Sequence, residues 1–406
     1  MMKCVHQSRK DLCIAENDLI MKRILFALDH INVGGVEKAF LGMIDALPRD
    51  KYEVHAAFEV PEGGFLPYIP DWVHVHPIAP FYDNIYFIKH PMKATLRDLL
   101  HGHREALPRA FAFLKSKIDH TKDAISAYLL RNDDAFGIEF DLAVSYAAPH
   151  EYLDYYIARH VKARRRAAWI HFDVSRCYTS PRSIRRNMSL DDKIFVVSER
   201  GREIFNRLYP ELADKTEVFR NIISPDIIRR DAARPSAYRA VPGAINIVTV
   251  GRLNPEKGQR LAIAALALFR SRGHEAVLHL VGSGTDEDYC RQLAVDAGID
   301  EYVRFYGAQA NPYPYMAAAD IYLQPSLHEG YCITLAEAKL FEAPIVATDF
   351  TGAREQLSQR PGAVIATDFT PEAIADALAE ALTKPRGVSP DAPVNDMDKF
   401  LRLLED

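Results

Sequence analysis

From Lys22 onward the chain alternates two patterns. Short runs that are apolar at nearly every position give way to stretches whose apolar residues recur every three or four positions. The continuous runs 22–28, 53–59, 140–146, 166–172 and 193–198 predict strands, and the helical spacing predicts helices at 36–47, 150–163 and 199–208. A strand that is apolar throughout must be covered on both faces, so the pattern predicts a parallel sheet between layers of helices. Residues 225–244 carry prolines and charges without a period and read as a linker. The alternation then restarts, with strands at 245–250, 277–281, 303–306, 320–324, 344–348 and 363–366. Helices are expected near 259–272, 286–297, 312–319, 332–342 and 371–383, and an amphipathic stretch from Met397 to Leu404 closes the chain after a loop at 385–393.

The expected fold is therefore α/β: two doubly wound, Rossmann-like domains, 21–225 and 240–390, facing each other across a cleft. Open parallel sheets bind ligands beyond the carboxyl ends of their strands. Residues 1–20 read as a polar extension without the apolar centre of a signal peptide, and Met21 as an alternative start. A net charge of −5 in 406 residues argues against a general nucleic-acid binder. No apolar run has the roughly 20 residues needed to span a bilayer. Cys4, Cys13, Cys177, Cys290 and Cys332 are widely spaced and odd in number, which fits free thiols in a reducing compartment. The expected setting is the cytoplasm.

Four loops carry candidate chemistry. Pro325–Glu337 (PSLHEGYCITLAE) places Glu329 in a turn and Glu337 in the following helix, with Gly330 ahead of a helix N-terminus whose free N–H groups suit a phosphate or a sugar oxygen. No cation lies three or four residues from Glu337, so its carboxylate needs donors from elsewhere. Sugar hydroxyls would serve, as would solvent or a distant Arg. Gly251–Gly258 (GRLNPEKG) puts Arg252 and Lys257 after a central strand, where fixed cations can stabilise a departing diphosphate; the alternative is two exposed loop charges. Gly34 and Gly35, and the Gly282-Ser283-Gly284 turn, offer close backbone approach to an anion, although strand-to-helix turns often carry glycine. Position 287 is Glu, so the latter turn is no dinucleotide fingerprint. His171, at a strand end in WIHFD, is either structural or a cleft residue. The Asp-x-Asp triplets at 286–288 and 396–398 read as chance matches to a metal-binding pattern, and no metal site is assigned.

With these residues in view, the chain resembles the retaining glycosyltransferases of family 4, which have the GT-B fold. The resemblance covers residues 22 to about 358. It is strong in VGRLNPEKG, LVGSG, VRFYGAQ and PSLHEGYCITLAEAKLFEAPIVATDFTGAREQL, and looser in GGVEK, in WIHFD and around Asn221. It implies that Glu329 works near the donor sugar and that Glu337 holds the nucleotide ribose. Gly330, Tyr331, Cys332, Ile333 and Thr334 would offer N–H groups to the donor, while Gly282, Ser283, Gly34 and Gly35 line its phosphates. Arg252 and Lys257 would bind the diphosphate, and His171 would lie near the sugar. It also implies that the terminal helix, about 394–406, crosses back to the first domain. Two departures are Glu342-Ala343 before Pro344, where the family often has Gly, and T-G-A-R-E near 352.

The implied activity is metal-independent transfer, with retention, from a nucleotide-sugar donor to a saccharide or lipid-linked acceptor in bacterial surface polysaccharide or glycolipid assembly. The alternatives are a nucleotide-sugar epimerase or phosphorylase on the same fold, or a non-catalytic sugar-nucleotide binding module. Residues 88–122 interleave eight cations with Leu96, Leu99, Leu100, Leu107, Phe111, Phe113, Leu114 and Ile118. This segment reads as a basic amphipathic surface for peripheral contact with an anionic membrane, at its inner face, or as a helix whose apolar side packs on its own domain.

Overall fold

The computed structural model describes residues 21–389 and 396–405. The 1–20 extension, with Cys4 and Cys13, lies outside them. Seven parallel strands make the first sheet: β1 Lys22–Leu28, β2 Tyr52–Phe58, β3 His74–Pro77, β4 Phe140–Ala148, β5 Ala163–Ile170, β6 Lys193–Val196 and β7 Thr216–Val218, in the order β3-β2-β1-β4-β5-β6-β7. Six parallel strands make the second: β8 Ile245–Val250, β9 Ala276–Val281, β10 Val303–Phe305, β11 Ile321–Gln324, β12 Ile345–Ala347 and β13 Ala363–Ile365, in the order β10-β9-β8-β11-β12-β13. Each order reverses beside its first strand, between β1 and β4 and between β8 and β11. These are the switch points at which such sheets open a crevice. This is the GT-B architecture.

The strongly apolar strands fall where the pattern puts them. β3 and β7 escape it because they are short and, in β3, mostly exposed. The linker expected over 225–244 contains a helix, Pro225–Ala232, started by a proline at its first turn and anchored by buried Ile228. The helix expected over 150–163 is Glu151–Tyr155 followed by a widened π turn, Tyr156–His160, because β5 already begins at Ala163.

The last helix, Met397–Glu405, seats Met397, Phe400 and Leu404 in the first domain's core, with Phe400 stacked on Phe26 at 5.9 Å. Burying each such side chain contributes roughly 1.5–3 kcal/mol. The chain thus crosses between the sheets twice. Cys177, Cys290 and Cys332 are free thiols. No helix among the described residues is long and apolar enough to cross a membrane.

Candidate functional site

The second domain's contribution starts where β8 and β9 end. Two backbone bonds, Gly251 N to Val281 O and Leu253 N to Ser283 O, both 3.0 Å, tie the loops that follow them. Gly282 has φ +149°, and a Cβ there would sit 1.9 Å from the Gly251 carbonyl, so only glycine allows the approach. Arg252 is exposed on this loop, and its guanidinium has no carboxylate partner among the described residues. Lys257 ends the short turn Pro255–Lys257. Its Nζ lies 2.8 Å from both carboxylate oxygens of Glu329, and Ser326 Oγ donates to Glu329 Oε1 at 2.8 Å. Burial alone would lower the Lys257 pKa, but the Glu329 charge outweighs it and holds the ammonium above its ordinary value. Lys257 and Glu329, read separately from the sequence as a diphosphate ligand and a sugar-side residue, are one ion pair.

Glu337 has a cation partner after all, and it comes from the other domain. Lys38 Nζ is 2.6 Å from Glu337 Oε1, and Tyr313 donates to the same oxygen at 3.1 Å. Lys38 stands one turn into helix Gly35–Asp45, just after Gly34 and Gly35, and its ammonium also lies over the Tyr313 ring at 4.4 Å. The other oxygen, Oε2, is buried and makes no hydrogen bond within the protein. Lys38 was present in the GGVEK motif. Nothing local marked it as the partner of a residue 299 positions away.

The domains meet tightly at Gly330. A Cβ there would fall 2.2 Å from the His171 carbonyl, and Ser198 Oγ donates to the Gly330 carbonyl at 3.1 Å. Thr351 with Asp173, and Arg220 with Glu355 at 2.9 Å, complete the seam. His171 itself is buried between Tyr146 and Trp169, and burial pushes its pKa down to about 3, so the ring is neutral. Cys332 adopts a left-handed backbone (φ +63°) before helix Ile333–Ala338, and Thr334 donates to Gln324 at 3.1 Å. Burial raises the Cys332 pKa, keeping the thiol protonated. The N–H groups of Tyr331, Cys332, Ile333 and Thr334 meet no acceptor among the described residues. Tyr331 and Ile333 also pack their side chains against the first domain's core, a contact the sequence did not suggest.

These groups surround one continuous cleft. One part of it is walled by Gly34, Gly35 and Lys38 on one side and by Arg252, Lys257, Gly282, Ser283, Glu329 and Cys332–Thr334 on the other. It continues into a recess reaching His171, Gly330 and Tyr331. Glu337 sits behind the wall rather than in it. Neither Asp-x-Asp triplet takes part. Asp286 pairs with Arg260, while Asp396 accepts from the Arg220 N–H and pairs with Lys399. The sequence reading missed a group of ionisable side chains at the carboxyl ends of β1, β2 and β4. There His30 lies 2.8 Å from Glu37, and His150 3.5 Å from Glu59. Burial raises the Glu59 pKa. Its only sequence signal was position, since Asp29, Glu59 and His150 all follow strand ends.

Residues 236–395 match the protein family described as Glycosyl transferases group 1, so the second domain is a domain of that family. Over 145 residues the chain is 31% identical to a GDP-mannose-dependent alpha-(1-6)-phosphatidylinositol monomannoside mannosyltransferase of Mycobacterium tuberculosis, covering 34% of this chain and 38% of that enzyme. Over 110 residues it is 33% identical to the N-acetylgalactosamine-N,N'-diacetylbacillosaminyl-diphospho-undecaprenol 4-alpha-N-acetylgalactosaminyltransferase of Campylobacter jejuni, covering 27% of this chain and 29% of that one. The match thus spans well under half the length of these curated relatives. The whole fold, by contrast, is shared with solved structures. HepE of Anabaena, in complex with UDP and glucose, superposes with a TM-score of 0.64 at 19% identity over 95% of this chain and 92% of its own.

Proposed function

We propose, from a second domain that belongs to the group 1 glycosyltransferases, that this protein transfers a sugar from a nucleotide-diphosphate donor to an acceptor hydroxyl, with retention of configuration. The observation that carries the reading is the placing of Arg252 and the Lys257–Glu329 pair at the β8–β11 switch point, opposite Gly34 and Gly35 at the β1–β4 switch point. A diphosphate in the cleft would meet Arg252, Lys257 and the free N–H groups that follow Gly330, and these groups would stabilise its charge as the glycosidic bond breaks. Glu329 fixes Lys257 in place through two hydrogen bonds before any donor arrives. Glu337, behind the cleft wall, would act by holding Lys38 and Tyr313 in place beside the donor rather than by touching it. The acceptor hydroxyl would attack from the leaving-group side and pass its proton to a donor phosphate oxygen. Neutral His171 would serve as a hydrogen-bonding neighbour of the sugar. This scheme needs no metal, because cations and N–H groups stand where a bound metal would otherwise carry the charge.

The acceptor side falls to the first domain, and the relatives from M. tuberculosis and C. jejuni, whose names place a lipid-linked glycan among their substrates, point to a bacterial glycolipid or polysaccharide setting. One surface supports work at a bilayer. The sequence left open whether the apolar side of residues 88–122 packs on its own domain. Helices Pro91–Leu100 and Ala106–Asp119 turn small and polar residues inward: Ala94, Thr95, Asp98, Ala106, Ala112 and Ser116. Met92, Leu96, Leu99, Leu100, Leu107, Phe111, Leu114 and Ile118 are exposed, most of them by more than half. Lys89, Lys93, Arg97, Arg104, Lys115 and Lys117 are exposed among them. Exposed apolar side chains interleaved with cations fit an anionic membrane surface, with the protein peripheral at the cytoplasmic face.

The test of the reaction is a thermal-shift screen of nucleotide sugars followed by assays with and without acceptor. Transfer to an acceptor, with slow hydrolysis alone in its absence, is expected. Conversion of the donor without acceptor would indicate an epimerase. Dependence on phosphate would indicate a phosphorylase, and binding without turnover a sugar-nucleotide module.

A further inference from the structure

Far from the cleft, β2 and β3 bring four potential metal-ligating side chains to one face of the first sheet. Side chains two apart on a strand share a face, so Glu53 and His55 are neighbours on β2, and His74 and His76 on the edge strand β3. The strands are parallel, with His55 opposite His74 and Ala57 opposite His76. Their imidazoles gather accordingly: the His55 ring centroid is 4.8 Å from that of His74 and 5.2 Å from that of His76. One ligand atom each from Glu53, His55 and His74 lies within 4.8 Å of the other two.

We propose that Glu53, His55 and His74 form a binding site for a divalent transition metal of the zinc class, with His76 as the residue that orients His55. Two imidazoles and a carboxylate are a zinc-type ligand set, and a fourth position remains for water. Bonds of about 2.0–2.1 Å to a tetrahedral ion separate its ligands by about 3.4 Å, so the present spacing closes with small rotamer changes. His55 Nε2 is already 3.1 Å from Glu53 Oε1. The Glu53 oxygen facing away, Oε2, is held by Arg23 at 3.0 Å, which fixes the carboxylate.

The second nitrogen of His55 makes the case specific. Nδ1 lies 3.1 Å from His76 Nε2. When His55 donates from Nδ1 to His76, its Nε2 lone pair faces the Glu53 oxygen, and two acceptors face each other, a pairing that a cation would relieve. A metal-ligating histidine is generally fixed in this way through its other nitrogen. The ring rests edge-on against Phe140 at 5.2 Å, so its plane is set by the core below. His74 is exposed and leaves an entry path. The site lies in the amino-terminal half of β2, whereas the cleft lies beyond the carboxyl ends. Its metal would therefore pin the four-residue edge strand to the sheet and stand apart from sugar transfer.

The experiment is a Zn²⁺ titration by calorimetry of the chelator-stripped, untagged full chain, repeated with Co²⁺ to read tetrahedral coordination from its visible absorption. One equivalent bound is expected. The exposed His74→Ala change should abolish that equivalent while circular dichroism stays native. His76→Ala should weaken binding by about ten- to a hundredfold, as loss of an orienting partner does. Equal Zn²⁺ binding by the wild type and His74→Ala, or no binding by the folded wild type, would overturn the proposal.

Discussion

Lys38 and Glu337 form a 2.6 Å ion pair between the first helix of one domain and the cleft-side helix of the other, and the Glu337 side chain is only 2% exposed. Removing one partner of such a pair leaves a buried charge, at a cost of about 3–5 kcal/mol. Lys38→Met should therefore destabilise the protein by that order in urea unfolding, and the Lys38→Met/Glu337→Gln double change should recover most of the loss. Additive losses would show that the pair is not coupled. Because Glu337 reaches the cleft only through Lys38, Glu337→Gln and Lys38→Met should raise the donor KM by similar factors, with a smaller change in kcat.

Arg252 and Lys257 divide differently. Arg252→Ala removes an exposed cation, so turnover should fall by roughly 10²–10³ while stability stays near wild type. Lys257→Ala should show the same loss of turnover together with destabilisation, because Glu329 is left without its partner. Near-normal turnover in both would remove them from the reaction.

Sugar transfer should persist in excess chelator. Loss of activity restored by magnesium or manganese would contradict the metal-independent scheme. A chelator that lowers the melting temperature without touching the rate would instead fit the β2–β3 site.

Co-sedimentation with vesicles checks the exposed apolar helices. Binding to phosphatidylglycerol vesicles at low salt should exceed binding to phosphatidylcholine, and Lys115→Glu with Lys117→Glu should cut it at least tenfold, since each basic residue contributes about 1 kcal/mol near an anionic surface. Absence of binding to either vesicle would reject a membrane role for this face.

Acid should destabilise the protein through His279. Burial lowers its pKa to about 4, and the ring is held between Tyr306 and Asn246. The unfolded chain takes up that proton near 6.5, so the contribution to stability is complete above that pH and is lost as pH falls toward 4. The slope is about 1.4 kcal/mol per pH unit for each such group. His171, lowered to about 3, adds in the same direction. Urea unfolding at pH 7, 6, 5 and 4 measures the slope, and His279→Gln should flatten it.

The sequence by itself determined the architecture. Short, β-branched, mostly apolar runs such as 245–250, ending in glycine, read as strands covered on both faces, and the residues just past them, Gly251–Arg252 and Gly282–Ser283, then lie at the sheet's carboxyl edge. That much follows from periods of two and 3.6 residues, which are local properties of the backbone. Only the tertiary structure decided which charges meet: Lys257 with Glu329 across 72 positions, and Lys38 with Glu337 between the two domains. It also decided which side of residues 91–119 faces out. An amphipathic period marks a stripe but not its partner, and here the stripe of small residues packed inward because Ala94, Ala106 and Ala112 let the helices approach closely. The Glu53–His55–His74 grouping was equally hidden, because it depends on the register between two strands. Such contacts depend on the relative placement of separate elements, which no single stretch of sequence contains.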